Sequence, residues 1–340
     1  MGNLITSVAS YTGKQAEFQE TFVLKLAQNT LLSALGFRIE QDIQSSKTFY
    51  KTGRLNKITK KAVDCNTGDT ATGVAISSVV LSVTQMEAEL SQCKSVFESS
   101  IYEAALKKGY DVYNLEGTQI QELMLEIFGD AVANDLYRQI FLNDTTLTNS
   151  DYTAYDGIFK KLKAGYLAAD GTTRVAASIS NTDINSANIV ATLDSYVNAQ
   201  KSPLKYNVSN SEKRFYVTDP IYRAWESKLT EIGSLESSKT QLIDGIDALK
   251  FRGIPMVNLT QIDEYILQDF STTSPQSSAT DDNRIILTNP QNHLIGTDLL
   301  TSTANAEFWY ERKDKKNYCR LGYRAGYNYI DGQENVIGGW

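Results

Sequence analysis

The chain contains one histidine, His293, and three cysteines, Cys65, Cys93 and Cys319, so few residues are available for nucleophilic or metal chemistry. A Ser–His–Asp relay presents its serine on a strained elbow, and no G-x-S-x-G surrounds any serine. His293, beside Asn292 and just after Pro290, reads as a structural or surface histidine. The cysteines are odd in number, widely spaced and without a C-x-x-C pair, which predicts free thiols in a reducing compartment and no zinc site. Glu87 with Glu89, or Asp281 with Asp282, could be imagined as acid–base or cation-binding pairs. Such chemistry needs two carboxylates at a set separation across a cleft, which sequence neighbours do not supply, so solvated surface charge is the better reading. There is no P-loop and no G-x-G-x-x-G, and Asp219-Pro220 opens a helix without a glycine-rich phosphate cradle. The sequence therefore predicts no enzyme, no cofactor and no metal centre.

The elements that could carry another kind of function are better defined. At 340 residues with 41% apolar side chains, the chain can bury two compact lobes with extensions. Thirty-three Lys and Arg against 40 Asp and Glu leave a formal charge of −7, which weighs against tight, sequence-independent binding of nucleic acid. Met1 to Thr12 lacks a signal-peptide pattern, and no run of about 18 apolar residues occurs. A soluble protein made and assembled inside a cell is expected, without a membrane partner.

Residues 1–14 are polar, and a helix over 16–35 is predicted to end at Gly36. Residues 45–93 read as a long β-hairpin around the turn Asp64-Cys65-Asn66-Thr67-Gly68-Asp69, with arms of nearly twenty residues reaching about 60 Å at ~3.3 Å per residue. A lone two-stranded ribbon is marginal in water. Something must pair with it or pack on it, either a larger sheet of the same subunit or another copy. The candidate contact residues on it are Lys57, Lys60, Lys61, Asp64, Asp69, Val79, Leu81 and Val83. Residues 97–109 have short helical periodicity, and a long helix is predicted over 118–142, with Ile120, Leu123, Met124, Ile127 and Ala131 as its apolar stripe and Leu136 with Ile140 extending the apolar surface. A second lobe follows, with a helix over 185–200, the strand Arg214–Thr218, a helix opened by Asp219-Pro220, the strand Gly253–Val257, and short strands at 284–288 and 293–296. Residues 271–282 read as a surface loop. Phe308-Trp309-Tyr310 is expected to face Tyr318-Cys319-Arg320-Leu321 across the charged turn Arg312-Lys313-Asp314-Lys315-Lys316. That turn could touch DNA, a neighbour's acidic patch, or only solvent.

This order of elements resembles the Hong Kong 97-type capsid fold of tailed-bacteriophage major capsid proteins. The resemblance is carried by Arg214-Phe-Tyr-Val-Thr-Asp-Pro, Phe251-Arg-Gly-Ile-Pro-Met-Val, Ile285-Ile-Leu-Thr-Asn-Pro through Gly296-Thr-Asp, and Phe308-Trp-Tyr through Tyr329. It implies an α+β fold with an N-terminal arm (1–44), an extended β-hairpin loop (45–95), a peripheral domain holding a long spine helix (96–183), an α/β axial domain (184–300), and C-terminal strands returning to the peripheral domain (301–340). The implied function is structural: pentamers and hexamers forming an icosahedral shell around double-stranded DNA. The acidic balance suits a wall that DNA passes without sticking. Scaffolding, portal and decoration proteins would be partners, the virion capsid the location, and the host bacterial cytoplasm the place of assembly. Some relatives weld subunits through a Lys–Asn isopeptide bond; nothing here marks the partner Asn or the acid. An encapsulin-like nanocompartment shell enclosing protein cargo is the alternative on the same fold. A glycan-binding or hydrolytic α/β protein is the alternative of another class.

Overall fold

Four short runs are apolar at successive positions: Phe215-Tyr216-Val217, Ile254 to Val257, Ile285-Ile286-Leu287 and Val336-Ile337. Strands of that kind need cover on both faces. The computed structural model describes residues 35–41, 43–52, 76–93, 119–176, 179, 184–241, 247–270, 283–298 and 305–339, and in it these four runs lie side by side in one sheet.

In chain order the first strands are β1 (Arg38–Glu40), β2 (Ser46–Thr52), β3 (Ile76–Ser82) and β4 (Thr84–Cys93). Helices α1 (Gln119–Leu142) and α2 (Ile158–Leu167) follow, then β5 (Thr173–Ala176), α3 (Ile189–Asn198) and α4 (Ser202–Asn207). Next come β6 (Arg214–Val217), α5 (Asp219–Glu231), the single turn α6 (Leu235–Ser238), β7 (Lys239–Gln241), β8 (Asp247–Phe251), β9 (Ile254–Asn258) and α7 (Thr260–Asp269). The last strands are β10 (Ile285–Thr288), β11 (His293–Thr297), β12 (Asn305–Glu311), β13 (Lys316–Tyr329) and β14 (Asn335–Gly338).

The seven-stranded sheet runs β5-β14-β10-β6-β9-β8-β7. Alternation divides its side chains between two cores. Phe215, Val217, Met256, Ile285, Leu287 and Val336 pack with Leu193 and Tyr196 of α3 and with Ile221 and Trp225 of α5. Tyr216, Val257, Ile286 and Ile337 face the other way, into the core built on α1, α2 and α7. A five-stranded sheet completes that second core. Its order is β1-β11-β13-β12, with β4 along the opposite edge of β13. The third sheet is the ribbon β2–β3.

The predicted long helix is present, and its 24 residues span about 36 Å at ~1.5 Å each. Its core face matches the predicted stripe in part: Met124, Leu136 and Ile140 are buried, while Ile127 and Ala131 are exposed. Met124, Phe128, Val132, Leu136 and Ile140 are buried at steps of four, whereas Ile127 is 56% exposed. Ala133, Tyr137 and Phe141 widen the buried face, which packs against α2, α7 and β13. The strand–Asp–Pro–helix unit is also present, with Thr218 rather than Asp219 as the N-cap.

Two expectations are corrected. The segment 84–93 is not the second half of a hairpin arm. It leaves the ribbon at Val83 and pairs with β13 of the same subunit, from Thr84↔Ala325 to Cys93↔Lys316. Its alternation explains this: Met86, Ala88 and Leu90 pack on the core, while Glu87 and Glu89 face out. The boundary at 183/184 does not follow the sheets either. β5 joins the seven-stranded sheet through β14, and β14, unrecognised in the sequence, sits between β5 and β10. The predicted helices at 16–35 and 97–109, the turn at 64–69 and the loop at 271–282 lie outside the described residues, apart from the end of the first helix, where Gly36 has φ +69°.

Candidate intersubunit surface

The ribbon pairs from Ser46↔Ser82 to Thr52↔Ile76. Alternation gives it two unlike faces. Lys47, Phe49 and Lys51 share one face with Leu81, Val79 and Ser77. Thr48, Tyr50 and Thr52 share the other with Val80, Ser78 and Ile76.

The first face docks on its own subunit. Leu81 is fully buried against Ile43 and Leu294, with Phe49, Val83 and Ile330 around them. Lys47 Nζ donates to Glu40 Oε2 at 2.5 Å, Arg38 Nη2 lies 2.6 Å from Glu40 Oε1, and Lys51 pairs with Asp331. The Arg38 and Lys47 cations also stand over the Phe49 ring, at 5.5 and 5.4 Å from its centre. Burial pushes the Glu40 carboxyl up, but the hydrogen bonds and charges of Lys47 and Arg38 outweigh it and hold the group below its ordinary 4.5. Asn328 Nδ2 donates to the Val80 carbonyl at 2.7 Å, and the Val83 N–H to the Ser45 carbonyl at 3.0 Å.

Two paired glycines make this docking possible. Gly296 and Gly326 are partners between β11 and β13. A Cβ at Gly326 would run into the Ser82 carbonyl, and one at Gly296 would lie 2.8 Å from Val83 Cγ1. The root of the ribbon therefore crosses the sheet where side chains are missing.

Among the described residues, none covers the second face. Tyr50 is 75% exposed, Ile76 66% and Val80 49%. These three apolar side chains are grouped on one side of the ribbon, which makes that side the candidate contact surface. Of the residues named from sequence, Leu81 is corrected: it is core of its own subunit, because its position in the register turns it toward Leu294. Val79 and Val83 are half-buried on the docked side or at its edge. Lys57, Lys60, Lys61, Asp64 and Asp69 lie outside the described residues. Sequence reasoning missed Tyr50, Ile76 and Val80; the signal was the register opposite Leu81, which period-two alternation alone could have supplied.

The charged turn sits at the tip of the β12–β13 hairpin. Arg312, Lys313, Asp314 and Lys315 are exposed, Lys316 is half-buried, and Lys315 has φ +54°. The Lys313 N–H donates to Glu311 Oε1 at 3.2 Å, and Tyr318 Oη donates to Asp314 Oδ2 at 3.1 Å. Behind the turn Trp309 and Tyr318 stack, ring centres 5.3 Å apart, and Arg320 Nε meets Glu87 Oε1 at 2.5 Å. The structure does not bring this turn to the ribbon root. Gly326 lies ten positions along β13 from Lys316, about 33 Å at ~3.3 Å each.

The residues considered for chemistry are structural where they are described. His293 is fully buried, with Nδ1 2.5 Å from Tyr327 Oη and Nε2 2.9 Å from Thr288 Oγ1, and it stacks on Phe37. Burial pulls its pKa down to about 3, so it is neutral at pH 7 and ties β10, β11 and β13 together. Burial pushes the Cys319 thiol up to about 12, which keeps it protonated. Glu87 and Glu89 are on the solvent face of β4, Glu87 paired with Arg320.

No family model and no curated protein matches the chain. Solved structures do. A capsid chain of the Myoviridae phage XM1 aligns at 13% identity and TM-score 0.54, covering 91% of this chain and 90% of that one. A chain of the satellite phage P4 procapsid, which includes the size determination protein, aligns at 10% identity and TM-score 0.54, over 95% and 98%. A chain of Gordonia phage Cozz aligns at 10% identity and TM-score 0.55, over 92% and 86%. Identities this low establish the fold alone: an α+β fold shared with these chains and consistent with the Hong Kong 97 type that the order of elements resembled.

Proposed function

With that fold as premise, we propose that the chain is the major capsid protein of a tailed bacteriophage, a structural subunit that self-assembles into the icosahedral shell around the phage's double-stranded DNA. The observation that carries the reading is the two-faced ribbon. Its inner side is fastened to its own subunit by Leu81, Glu40 and Asp331, while Tyr50, Ile76 and Val80 project from its outer side into solvent. A ribbon fastened on one side needs a second body for the other. In a closed shell that body is the next copy of the chain, and weak contacts repeated around pentamers and hexamers add up by avidity. The hairpin residues Lys57, Lys60, Lys61, Asp64 and Asp69 would extend this contact, and the turn 312–316 would form a second, separate one.

Scaffolding, portal and decoration proteins belong to the same proposal, as does assembly in the bacterial cytoplasm. The likeness to phage particles supports a DNA-filled shell over a nanocompartment with protein cargo. The test is electron microscopy of the purified protein, alone and with the paired substitutions Tyr50→Ser and Val80→Ser. The native chain is expected to give closed shells, and the variant folded subunits without shells. Closed shells at native yield from the variant would overturn the ribbon's role.

A further inference from the structure

Charge is unevenly spread along this acidic chain. Residues 157–176 hold Lys160, Lys161, Lys163 and Arg174 against one carboxylate, Asp170. Residues 199–216 hold Lys201, Lys205, Lys213 and Arg214 against one, Glu212. The fold joins the two segments. α2 and α4 both pack on the 3-10 turn Gly332–Glu334, and Lys201 Nζ donates to the Gly171 carbonyl at 2.6 Å.

Ion pairing leaves most of this charge unopposed. Lys160 meets Asp144 at 2.9 Å, but Lys163, Arg174, Lys201, Lys205 and Lys213 have no carboxylate partner among the described residues. Lys213 is the strongest case. It is 2% exposed and its ammonium is held by two neutral amide oxygens, Gln200 Oε1 at 2.9 Å and Asn210 Oδ1 at 3.1 Å. Burial first, and then the nearby Lys205 charge, pull its pKa down. A buried cation without a carboxylate is costly, and here it adds to the positive potential of the surface above it. Each segment also carries an exposed tyrosine beside one of these cations. Tyr206 is 73% exposed with Lys205 Nζ 5.6 Å from its ring centre, and Tyr166 carries the Arg174 guanidinium at 5.1 Å.

We propose that the surface formed by the end of α2, the start of β5 and α4 is a polyanion site that takes the phosphate backbone of nucleic acid. Unpaired lysines beside exposed aromatic rings are the composition of such surfaces. Lysine is depleted from protein–protein interfaces, which sets this patch apart from the apolar outer face of the ribbon. Net charge describes the whole chain, whereas phosphates meet one patch of it. A single patch binds weakly against the surplus of acid elsewhere, and repetition over many copies multiplies it. Its biological setting rests on the shell reading, in which the face bearing α4 would be the one turned to the genome.

The test is titration of a short labelled DNA duplex with the full chain across a salt series, followed by anisotropy, with Lys163→Gln, Lys201→Gln and Lys205→Gln combined in one variant. All three side chains belong to exposed residues, and Lys213 is left intact. Native affinity is expected to fall with salt. The variant should bind at least ~10-fold more weakly, with a salt slope shallower by about 2–3, since each phosphate no longer neutralised removes about 0.9 from the slope. The paired change Arg312→Gln with Lys313→Gln should leave affinity within ~2-fold. Equal slopes for native and variant, or no salt-dependent binding by the native chain, would overturn the site. Loss of shells by the triple variant with unchanged DNA affinity would also overturn it, giving the patch to a neighbouring copy. A native chain that binds DNA as described but never forms shells would uphold the site while removing the shell reading.

Discussion

Strands β6, β10 and β14 are four residues long and strands β2 and β3 seven, yet the shorter strands belong to the firmer structure. Each short strand has a paired neighbour on both edges and a core on both faces. The ribbon has one partner strand, one docked face and one face in water. Length does not fix a strand in place; cover does. The seven-stranded sheet is therefore held by its own subunit, while the ribbon is held at its root and completed from outside.

Four changes test that contrast, in descending order of effect on the isolated subunit. Phe215→Ala, in the core between the sheet and α3, should cost about 3–5 kcal/mol in denaturant unfolding. A smaller loss would mean that this core is looser than its burial implies. Leu81→Ala removes the central side chain of a much smaller cluster, and should cost about 2–3 kcal/mol. Hydrogen exchange should then rise over 46–52 and 76–82 and stay unchanged in β6 and β10; uniform acceleration would deny the ribbon a separate root. His293→Gln should flatten the acid limb of stability. The buried ring keeps a folded pKa near 3 against 6.5 unfolded, so the unfolded chain gains the proton first, and stability falls as pH drops from 6.5 toward 3. The native chain should lose about 1.5 kcal/mol from this group between pH 6.5 and about pH 5, and the variant none of it. Tyr50→Ser with Val80→Ser should change subunit stability by no more than about 0.5 kcal/mol. A large loss there would place that face inside the subunit's own fold.

What can be read in the sequence divides along the same line. Arg214–Val217 and Ile285–Thr288 are legible because burial on both faces writes an unbroken apolar run. The long helix is legible as an element, but its buried face is misjudged around Ile127, since periodicity gives a direction only relative to neighbours that the sequence does not name. The segment 84–93 invites the wrong pairing for a similar reason. Its alternation fits any antiparallel partner, and the true one, β13, lies more than 200 residues on. β14 escapes notice because Asn335-Val336-Ile337-Gly338 is four residues long and flanked by glycine, below what a pattern can distinguish from a turn. For the ribbon's exposed face, the residues that matter have the opposite parity to Leu81.

β14 also has a consequence for the order of events in synthesis. It lies between β5 and β10, pairing with residues 173–176 on one side and 285–288 on the other. Until residues 335–338 have left the ribosome, β5 is cut off from the rest of that sheet and β10 has an open edge. Contacts at such separation form late and slowly. A chain interrupted before residue 335 thus carries an unpaired strand edge on β10, the kind of edge on which other chains pair, so completing β14 also closes a route to misassembly.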